Sequence, residues 1–282
     1  MRLLLTGANG FTGCHIIPAA QKSGYELKAL TCDLTNQLAV IDEVARIRPT
    51  HVIHLAGISA VTHANEEDFY RVNLFGTQSL LLALDALPEV PEKILLASSA
   101  NVYGNALVSP VSELTCPQPV NHYAISKLSM EFMAASFFKK LPIVIGRPFN
   151  YTGILHDNRF VVPKIVEHFK RKESEIELGN LNVMREYNDV RVICKAYLDL
   201  LKLGVPGEIY NIASGNPVSL STIISTMEKV TKHSIHVRVN PAFVRSNEIE
   251  VLSGSAVKIE NLIGPLKHPA LEDTLSWMLG GN

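Results

Sequence analysis

The chain has 282 residues, a formal net charge of −1 and four cysteines, so it is long enough for one large domain or two unequal lobes with a sizeable core. A net charge this close to zero creates no field that would hold a polyanion, which excludes nucleic acid and anionic membrane surfaces as main partners. No apolar run approaches the ~20 residues of a membrane span, and the apolar run at residues 3–5 ends too early for a secretory signal.

The cysteines predict a compartment and argue against one kind of site. Cys14, Cys32, Cys116 and Cys194 are widely spaced and form neither a Cys-x-x-Cys pair nor a mixed cluster with histidine. We therefore expect reduced thiols in a cytoplasmic protein that holds no structural metal.

The start of the chain predicts a dinucleotide site. A short apolar strand at residues 2–5 stops at a glycine-rich turn, and helical spacing resumes at residue 11. Gly7, Gly10 and Gly13 fit the pattern Gly-x-x-Gly-x-x-Gly, which lets a pyrophosphate approach the backbone and the N-terminus of the helix. The position between the first strand and the first helix strengthens this prediction.

The second strand, at residues 26–30, does not show which dinucleotide is preferred. In this kind of fold an acid at the strand tip favours NAD and an arginine favours NADP, whereas here the tip carries Thr31 and Cys32. Both cofactors therefore stay open. Thr35 is predicted to cap the next helix, which ends at Pro49.

Strands and helices alternate regularly up to about residue 150. Further strands are predicted at residues 50–55, 93–98 and 142–146, with a long helix at about 66–87 and another from the Tyr123 region to about residue 139. This alternation predicts an α/β fold with a Rossmann-type, doubly wound parallel sheet and a ligand at the carboxyl ends of its strands.

The later segments predict a second lobe. After residue 150 the alternation loosens, although a strand at residues 208–213 could rejoin the sheet. We predict that residues 1–150 form an NAD(P)-binding domain to which residues 187–213 return. Residues 151–186 and 214–282 are predicted to form a smaller α/β lobe that binds the substrate.

Tyr123 and Lys127 are candidates for proton transfer. Residues four apart lie on the same face of a helix, so the Lys127 ammonium can lie beneath the Tyr123 phenol. A nearby cation is expected to lower the pKa of the phenol from its usual ~10 and make it an acid or base near neutral pH. A packed Tyr beside a solvated Lys explains the same spacing, so the pair needs support from the rest of the chain.

A series of motifs resembles the extended short-chain dehydrogenase/reductases that act on nucleotide sugars. The resemblance covers nearly the whole chain and rests on TGANGFTG, DLT, HLAG, RVNLFGT, SSANVYG, YAISK and RPFN, followed by REYNDV and RSNEI. One motif could arise by chance, but this many in the right order could hardly do so. The resemblance implies an NADPH- or NADH-dependent enzyme with a nucleotide-sugar substrate.

The resemblance implies a catalytic set of Ser99, Tyr123 and Lys127. Ser99 would hydrogen-bond the C4 oxygen of the sugar, and Tyr123 would exchange a proton with it while the nicotinamide exchanges hydride with C4. Lys127 would also hold the nicotinamide ribose.

The same resemblance assigns residues to both ligands. Asp33 and Leu34 match the pair that meets the adenine, and Arg185 and Arg245 match two arginines that grip the substrate pyrophosphate with planar, charged forks. The predicted cofactor-binding residues are Gly7, Asn9, Gly10, Phe11, Thr12, Gly13, Asp33, Leu34, Leu55, Ala56, Gly57, Asn73, Tyr123 and Lys127. The predicted substrate-binding residues are Ser59, Ser99, Asn101, Asn150, Arg185, Arg245 and Glu248.

Two positions argue against one activity of the family. The 4,6-dehydratases carry an acid just before Val-Tyr-Gly, and some carry a second acid beside it, because loss of water from C5 and C6 needs a base and an acid. Here those positions hold Asn101 and Ala100. Dehydration is therefore disfavoured, which leaves reduction of a 4-keto sugar or epimerisation at C4.

Of these reactions we favour reduction. The distal motifs are most similar to those of GDP-4-keto-6-deoxymannose reductases and related 4-keto-6-deoxyhexose reductases, although Glu186 stands where the family usually has Asp. The nucleobase stays open between guanine and thymine. A C4 epimerase that retains NAD is the alternative enzyme, and a catalytically degenerate protein that senses dinucleotide is the alternative of another class.

A homodimer is expected from the same resemblance, through the helix that carries Tyr123 and its neighbour. Met130, Ala134 and Phe137 form an apolar stripe on that helix. The stripe is compatible with an outward-facing interface, and equally with the core of the protein.

Overall fold

A six-stranded parallel sheet forms the centre of the computed structural model, which describes residues 1–60, 63–106, 108–244 and 249–280. The strands, numbered in chain order, are β1 (Arg2–Thr6), β2 (Glu26–Ala29), β3 (His51–His54), β4 (Lys93–Ala97), β5 (Ile143–Pro148), β6 (Tyr151–Thr152), β7 (Glu175–Leu178), β8 (Met184–Arg185), β9 (Asn188–Asp189), β10 (Ile209–Ile212), β11 (Val218–Ser219), β12 (His236–Val239) and β13 (Val251–Leu252). The order in the central sheet is β10-β5-β4-β3-β1-β2, with every neighbouring pair parallel. The predicted Rossmann-type sheet is confirmed.

Helices cover both faces of this sheet. The helices are α1 (Phe11–Lys22), α2 (Gln37–Ile47), α3 (Glu66–Asp68), α4 (Thr77–Asp85), α5 (His122–Ala135), α6 (Val161–Lys170), α7 (Val190–Leu203), α8 (Leu220–Thr231), α9 (Val257–Ile263) and α10 (Leu271–Met278). Leu3 and Leu5 pack with α1 and α7, and Leu4 packs on the other face with α2, α4 and α5. Because successive side chains of a strand point to opposite faces, a continuous apolar run is what a strand covered on both sides requires.

The start of α2 differs from the sequence prediction by one residue. Its cap is Asn36, whose Oδ1 accepts a hydrogen bond of 3.2 Å from the Ala39 N–H. Thr35 is the wrong cap because its backbone N–H and its hydroxyl both donate to Asp33 Oδ1, each at 2.8 Å. The turn formed by Asp33 therefore engages Thr35 before the helix begins.

The long helix predicted at about residues 66–87 has a wider middle. Between α3 and α4 the chain forms a π-helix over Phe69–Gly76. π-helical segments are rare in proteins, and those that occur often lie at functional sites. Asn73 lies within this π-helix and is 1% exposed, which excludes the surface position that a helical Asn usually has.

The apolar stripe predicted on α5 belongs to the core. Met130 and Ala134 are fully buried against the sheet, and Phe137 packs at the edge of the same cluster. The outward face of α5 carries Ile125 and Phe132 instead, seven residues apart and both exposed.

The later segments pack into a second apolar cluster. Helices α6, α8 and α10 enclose it together with β7 and β12, and its fully buried members include Ile165, Ile223, Met227 and Leu275. A small sheet of β11, β8 and β13 lies in the same part of the chain, whereas β10 pairs in parallel with β5 of the central sheet.

A buried carboxylate joins the segments around β8. Glu186 is 1% exposed and accepts hydrogen bonds from the backbone N–H groups of Ser214, Gly215 and Gly254, at 2.6, 3.2 and 2.7 Å. The Ser253 hydroxyl donates to the same carboxylate at 3.2 Å. Hydrogen bonds to a charged group are the strong ones, so Glu186 fixes the loop after β10 to the segment after β13.

Candidate active site

The glycine turn between β1 and α1 leaves its backbone bare where a dinucleotide would lie. A Cβ at Gly13 would lie 2.2 Å from the Gly7 carbonyl oxygen and 2.6 Å from that of Ala8. Gly7 has a φ of +69°, and a Cβ there would lie 2.8 Å from the Ala56 nitrogen. Only glycine fits at these two positions. The first turn of α1 contains no acidic residue, so its N-terminus suits the pyrophosphate of NAD(P).

The segment after β3 packs closely against this turn and against α5. A Cβ at Gly57 would lie 2.8 Å from Asn73 Oδ1 and 3.4 Å from Lys127 Nζ. The Asn73 amide bridges the two regions, because its Oδ1 accepts from the Ile58 N–H at 2.8 Å and its Nδ2 donates to Ser126 Oγ at 3.0 Å. Asn73 therefore holds the loop after β3 against α5, and the structure brings together Gly57, Asn73 and Lys127, three of the residues predicted to bind the cofactor.

Lys127 is a buried cation. Its ammonium donates a hydrogen bond of 2.8 Å to the Ala97 carbonyl at the end of β4. Burial lowers the pKa of Lys127 to about 8, and the Glu131 carboxylate opposes that change. His54, on β3, has its own pKa lowered to about 3 by burial and by Lys127, so it is neutral near pH 7.

The Tyr123 phenol is buried, and Ser99 influences its pKa. Burial raises the pKa of Tyr123, and the Ser99 hydrogen bond offsets part of that increase. The lowered pKa predicted from the Tyr-x-x-x-Lys spacing is wrong in direction, because desolvation outweighs the favourable contacts of the phenolate. Tyr123 is therefore protonated near neutral pH and is available as a proton donor.

Asn101 and Ala100 lie directly beside Ser99. Ser99 Oγ accepts from the Asn101 backbone N–H at 3.2 Å and from its Nδ2 at 3.1 Å. Ala100 is 1% exposed. No acid stands at either position, so neither residue can exchange the protons that dehydration needs.

A buried ion pair beneath the site was missed in the sequence. Glu131, four residues after Lys127 on α5, accepts from Arg147 Nε at 2.9 Å and Nη2 at 2.5 Å. Ser98 donates to the same carboxylate, and Arg147 also donates to the Tyr103 hydroxyl at 2.9 Å. The four-residue spacing of Lys127 and Glu131 could have predicted that the two side chains share a helix face. The pairing of Glu131 with Arg147 on β5 depends on the tertiary fold.

The tip of β2 also contains a carboxylate that the sequence order hides. Glu43 of α2 is 7% exposed and accepts from the Thr31 N–H, the Thr31 hydroxyl and the Cys32 N–H at 3.1, 2.8 and 2.9 Å. Its partners lie 11 and 12 residues earlier in the chain, on a different element. Glu43 therefore fixes the backbone on the adenine side of the predicted cofactor site, next to Asp33 and Leu34.

Aromatic rings pack beside the glycine turn, another feature that the sequence did not predict. Phe11 stacks on His156 with ring centroids 4.2 Å apart and on Tyr151 at 5.7 Å. The Tyr151 hydroxyl is 2.8 Å from Thr12 Oγ1. Burial raises the pKa of Tyr151 and lowers that of His156 to about 4, so both side chains are neutral near pH 7.

The predicted substrate residues are less closely gathered. Arg185 donates to the carbonyl oxygens of Met184 and Glu250, at 2.8 and 3.3 Å, and to that of Ile249. Ser59 is exposed and Asn150 is half-buried. Arg245 and Glu248 lie outside the described residues.

Across the described ranges, no group of three or more His, Cys, Asp or Glu side chains is placed to hold a metal ion. In the same ranges, no helix has both the length and the apolar character needed to cross a membrane. All four cysteines lie in the described part of the chain and are unpaired.

Comparison with known proteins identifies relatives over almost the full length. The family described as GDP-mannose 4,6 dehydratase matches residues 18–276. GDP-6-deoxy-D-talose 4-dehydrogenase of Aggregatibacter actinomycetemcomitans is 32% identical, over 94% of this chain and 92% of the relative. GDP-6-deoxy-D-mannose reductase of Pseudomonas aeruginosa is 29% identical, over 98% of this chain and 91% of the relative.

Solved structures agree with this result. A Burkholderia cenocepacia J2315 protein, provisionally named an epimerase, has a TM-score of 0.94 and 37% identity, covering 99% of this chain and 97% of that one. The Pseudomonas aeruginosa protein RMD, solved with NADPH, has a TM-score of 0.90 and 28% identity, covering 99% of this chain and 96% of that one.

Replacing Gly13 by Ala tests the shape of the glycine turn. A Cβ at this position meets backbone oxygens that cannot rotate away, so we expect the free energy of unfolding to fall by ~2 kcal/mol. NADPH binding should weaken about tenfold or more, which corresponds to ~1.4 kcal/mol. Urea unfolding and NADPH fluorescence titration measure the two effects.

Gly10→Ala is the matched control for the unfolding measurement, because its Cβ would lie 3.2 Å from the Gly7 carbonyl oxygen and needs only a small adjustment. Equal NADPH affinity in Gly13→Ala and in the unsubstituted protein would contradict the assignment of the turn.

Proposed function

The chain belongs to the GDP-mannose 4,6-dehydratase family of extended short-chain dehydrogenase/reductases, and on that premise we propose that it reduces the C4 keto group of a GDP-linked 4-keto-6-deoxyhexose. It is an NAD(P)-dependent oxidoreductase of nucleotide sugars, and NADPH is the proposed reductant. The product is a 6-deoxyhexose nucleotide for glycan synthesis.

One observation carries the choice of reaction. Ser99 follows β4, and Tyr123 and Lys127 lie on α5, where the Lys127 ammonium reaches the Ala97 carbonyl at the end of β4. The neighbouring positions that need acids for dehydration hold Asn101 and a buried Ala100. The site can therefore exchange a proton at an oxygen, but positions 100 and 101 supply no acid or base for removing water. Reduction of a ketone needs only the first of these abilities.

The relatives favour a GDP-linked substrate over a dTDP-linked one. Two of them, from Aggregatibacter actinomycetemcomitans and Pseudomonas aeruginosa, are named for reactions of GDP-6-deoxyhexoses. Ser59, Asn150, Arg185, Arg245 and Glu248 are the residues we propose for the sugar and its pyrophosphate.

The glycine turn, the loop after β3 and Lys127 are proposed to hold the dinucleotide, which supplies a hydride to C4 when bound. Tyr123 then donates its proton to the C4 oxygen as the carbonyl becomes an alkoxide. Ser99 donates a hydrogen bond to the same oxygen and stabilises its developing negative charge. The buried Lys127 ammonium adds positive charge below the phenol.

Assays with a panel of nucleotide sugars test this proposal. We expect NADPH oxidation with GDP-4-keto-6-deoxyhexoses, with one new C4 hydroxyl in the product as read by NMR. Turnover with dTDP-linked sugars alone would overturn the choice of nucleobase. Interconversion of C4 epimers without added reductant, by protein that retains NAD, would identify the alternative epimerase.

Tyr123→Phe is the variant that tests the catalytic assignment in the same assay. Removing the hydroxyl removes the proton donor, and general acid catalysis is worth ~10²–10⁴-fold in rate. We expect turnover to fall by ~10³-fold while NADPH binding stays largely intact. Undiminished turnover in Tyr123→Phe would contradict the assignment. Failure of every 4-keto sugar despite confirmed NADPH binding would instead favour a dinucleotide sensor.

We also propose that the protein is a homodimer through α5 and its neighbouring helix. Phe75 and Leu82 on the π-helix and α4, and Ile125 and Phe132 on α5, are exposed, and the members of each pair lie seven residues apart. Phe132 is 70% exposed. Large apolar side chains that line one outward face of two packed helices suit burial against a second copy.

Phe132→Glu tests the proposed dimer. A carboxylate buried in an apolar interface is costly, so we expect the variant to sediment as a monomer at concentrations where the unsubstituted protein is a dimer. Leu38→Glu, on an exposed position of α2, is the control and should leave the dimer intact. A monomeric unsubstituted protein would contradict the proposal.

A further inference from the structure

The hydrogen bonds around Ser99 leave only the hydrogen of its hydroxyl free for a further partner. A serine hydroxyl has one donor hydrogen and two acceptor lone pairs. The Asn101 backbone N–H and its Nδ2 both donate to Ser99 Oγ, at 3.2 and 3.1 Å. With both lone pairs occupied, Ser99 can only donate to whatever lies on its remaining side.

We propose that Asn101 is a positioning residue that makes Ser99 an obligate hydrogen-bond donor to the carbonyl oxygen of the substrate. The inference rests on the proposed function, since it takes C4 of the sugar as the reacting carbon. It gives Asn101 a role through Ser99 rather than a direct contact with the sugar.

The Ser99 hydroxyl also lowers the pKa of the Tyr123 phenol, against the larger increase caused by burial. A donor hydroxyl at Ser99 is compatible with this effect, because a donated hydrogen bond favours the ionised phenol. When a carbonyl oxygen approaches both hydroxyls, each of its two lone pairs meets a donor. Ser99 keeps its proton throughout, whereas Tyr123 gives its proton up to the oxygen.

A donor held in this way has a catalytic advantage over a freely rotating hydroxyl. It is already aimed at the position where negative charge develops, so no reorientation is needed during the reaction. Ser99 is 5% exposed, so bulk water does not compete for the hydrogen bond. The amide at residue 101 thereby contributes to carbonyl reduction from a position where an acid would serve dehydration.

Comparing Asn101→Asp with Asn101→Ala tests the proposal. Asp nearly matches Asn in shape, but its carboxylate can only accept hydrogen bonds. It would therefore accept the hydrogen bond that Ser99 otherwise donates to the substrate. Ala removes the side-chain donor and leaves the backbone donor. We expect kcat to fall ~100-fold in Asn101→Asp, as for loss of one oxyanion donor, with a smaller fall in Asn101→Ala and little change in KM.

A purely structural role predicts the reverse order, with the near-isosteric Asp tolerated better than Ala. That order would overturn the proposal. Undiminished kcat in Asn101→Asp would also overturn it, because the side chain at position 101 would then accept a hydrogen bond from Ser99 rather than donate one to it.

Ser99→Ala supplies the background that separates charge from donation. If Asn101 acts through Ser99, Asn101→Asp costs far less in Ser99→Ala than in the unsubstituted protein. An equal cost in both backgrounds would assign the effect to the new negative charge and overturn the proposal.

The Tyr123 phenol gives a readout that needs no substrate. Its ionisation is obtained by ultraviolet difference titration against the corresponding Tyr123→Phe variants. The pKa of Tyr123 should be higher in Asn101→Asp, because Ser99 no longer donates to the phenol, and the increase should shrink when Ser99 is Ala. An increase that is the same with and without Ser99 overturns the inference. Absence of 4-keto reduction together with the expected titration would overturn the proposed function alone.

Discussion

The burial of the Lys127 ammonium is the constraint on which the rest of the site depends. A charge removed from water is costly unless it is paired and hydrogen-bonded. Lys127 meets the Ala97 carbonyl directly, while the Glu131 carboxylate lies one turn further along α5 and is shared with Arg147. These buried charges hold β4, β5 and α5 together. Tyr123 lies on α5, one turn before Lys127.

The same constraint explains the unusual backbone near Lys127. Gly57 leaves space for the ammonium, and the π-helix places Asn73 where its amide binds both the loop after β3 and Ser126 of α5. A regular α-helix has a narrower turn than a π-helix, so it would point the Asn73 side chain in a different direction. The π-helix thus helps to hold α5 against the loop after β3.

The sequence predicted the features that depend on local pattern. The glycine spacing and the alternation of strands and helices led to the parallel sheet, because each reflects a short-range rule. It could not predict the pairing of Glu131 with Arg147, or that of Glu43 with the tip of β2, because these partners lie on different elements. The direction of the Tyr123 pKa was wrong for a related reason, since the depth of burial is a property of the folded chain.

The central claim is that a buried, charged Lys127 supports proton donation by Tyr123. The most direct test is the pH dependence of kcat for ketone reduction, measured in the unsubstituted protein and in Glu131→Gln. Burial lowers the pKa of Lys127 to about 8, so its charged form is present below that pH and is lost as pH rises through it. We predict that kcat of the unsubstituted protein falls as pH rises through about 8, and that the fall occurs at lower pH in Glu131→Gln, where the opposing carboxylate is absent. A kcat that stays level through pH 8, or an identical profile in a folded Glu131→Gln variant, would contradict the account.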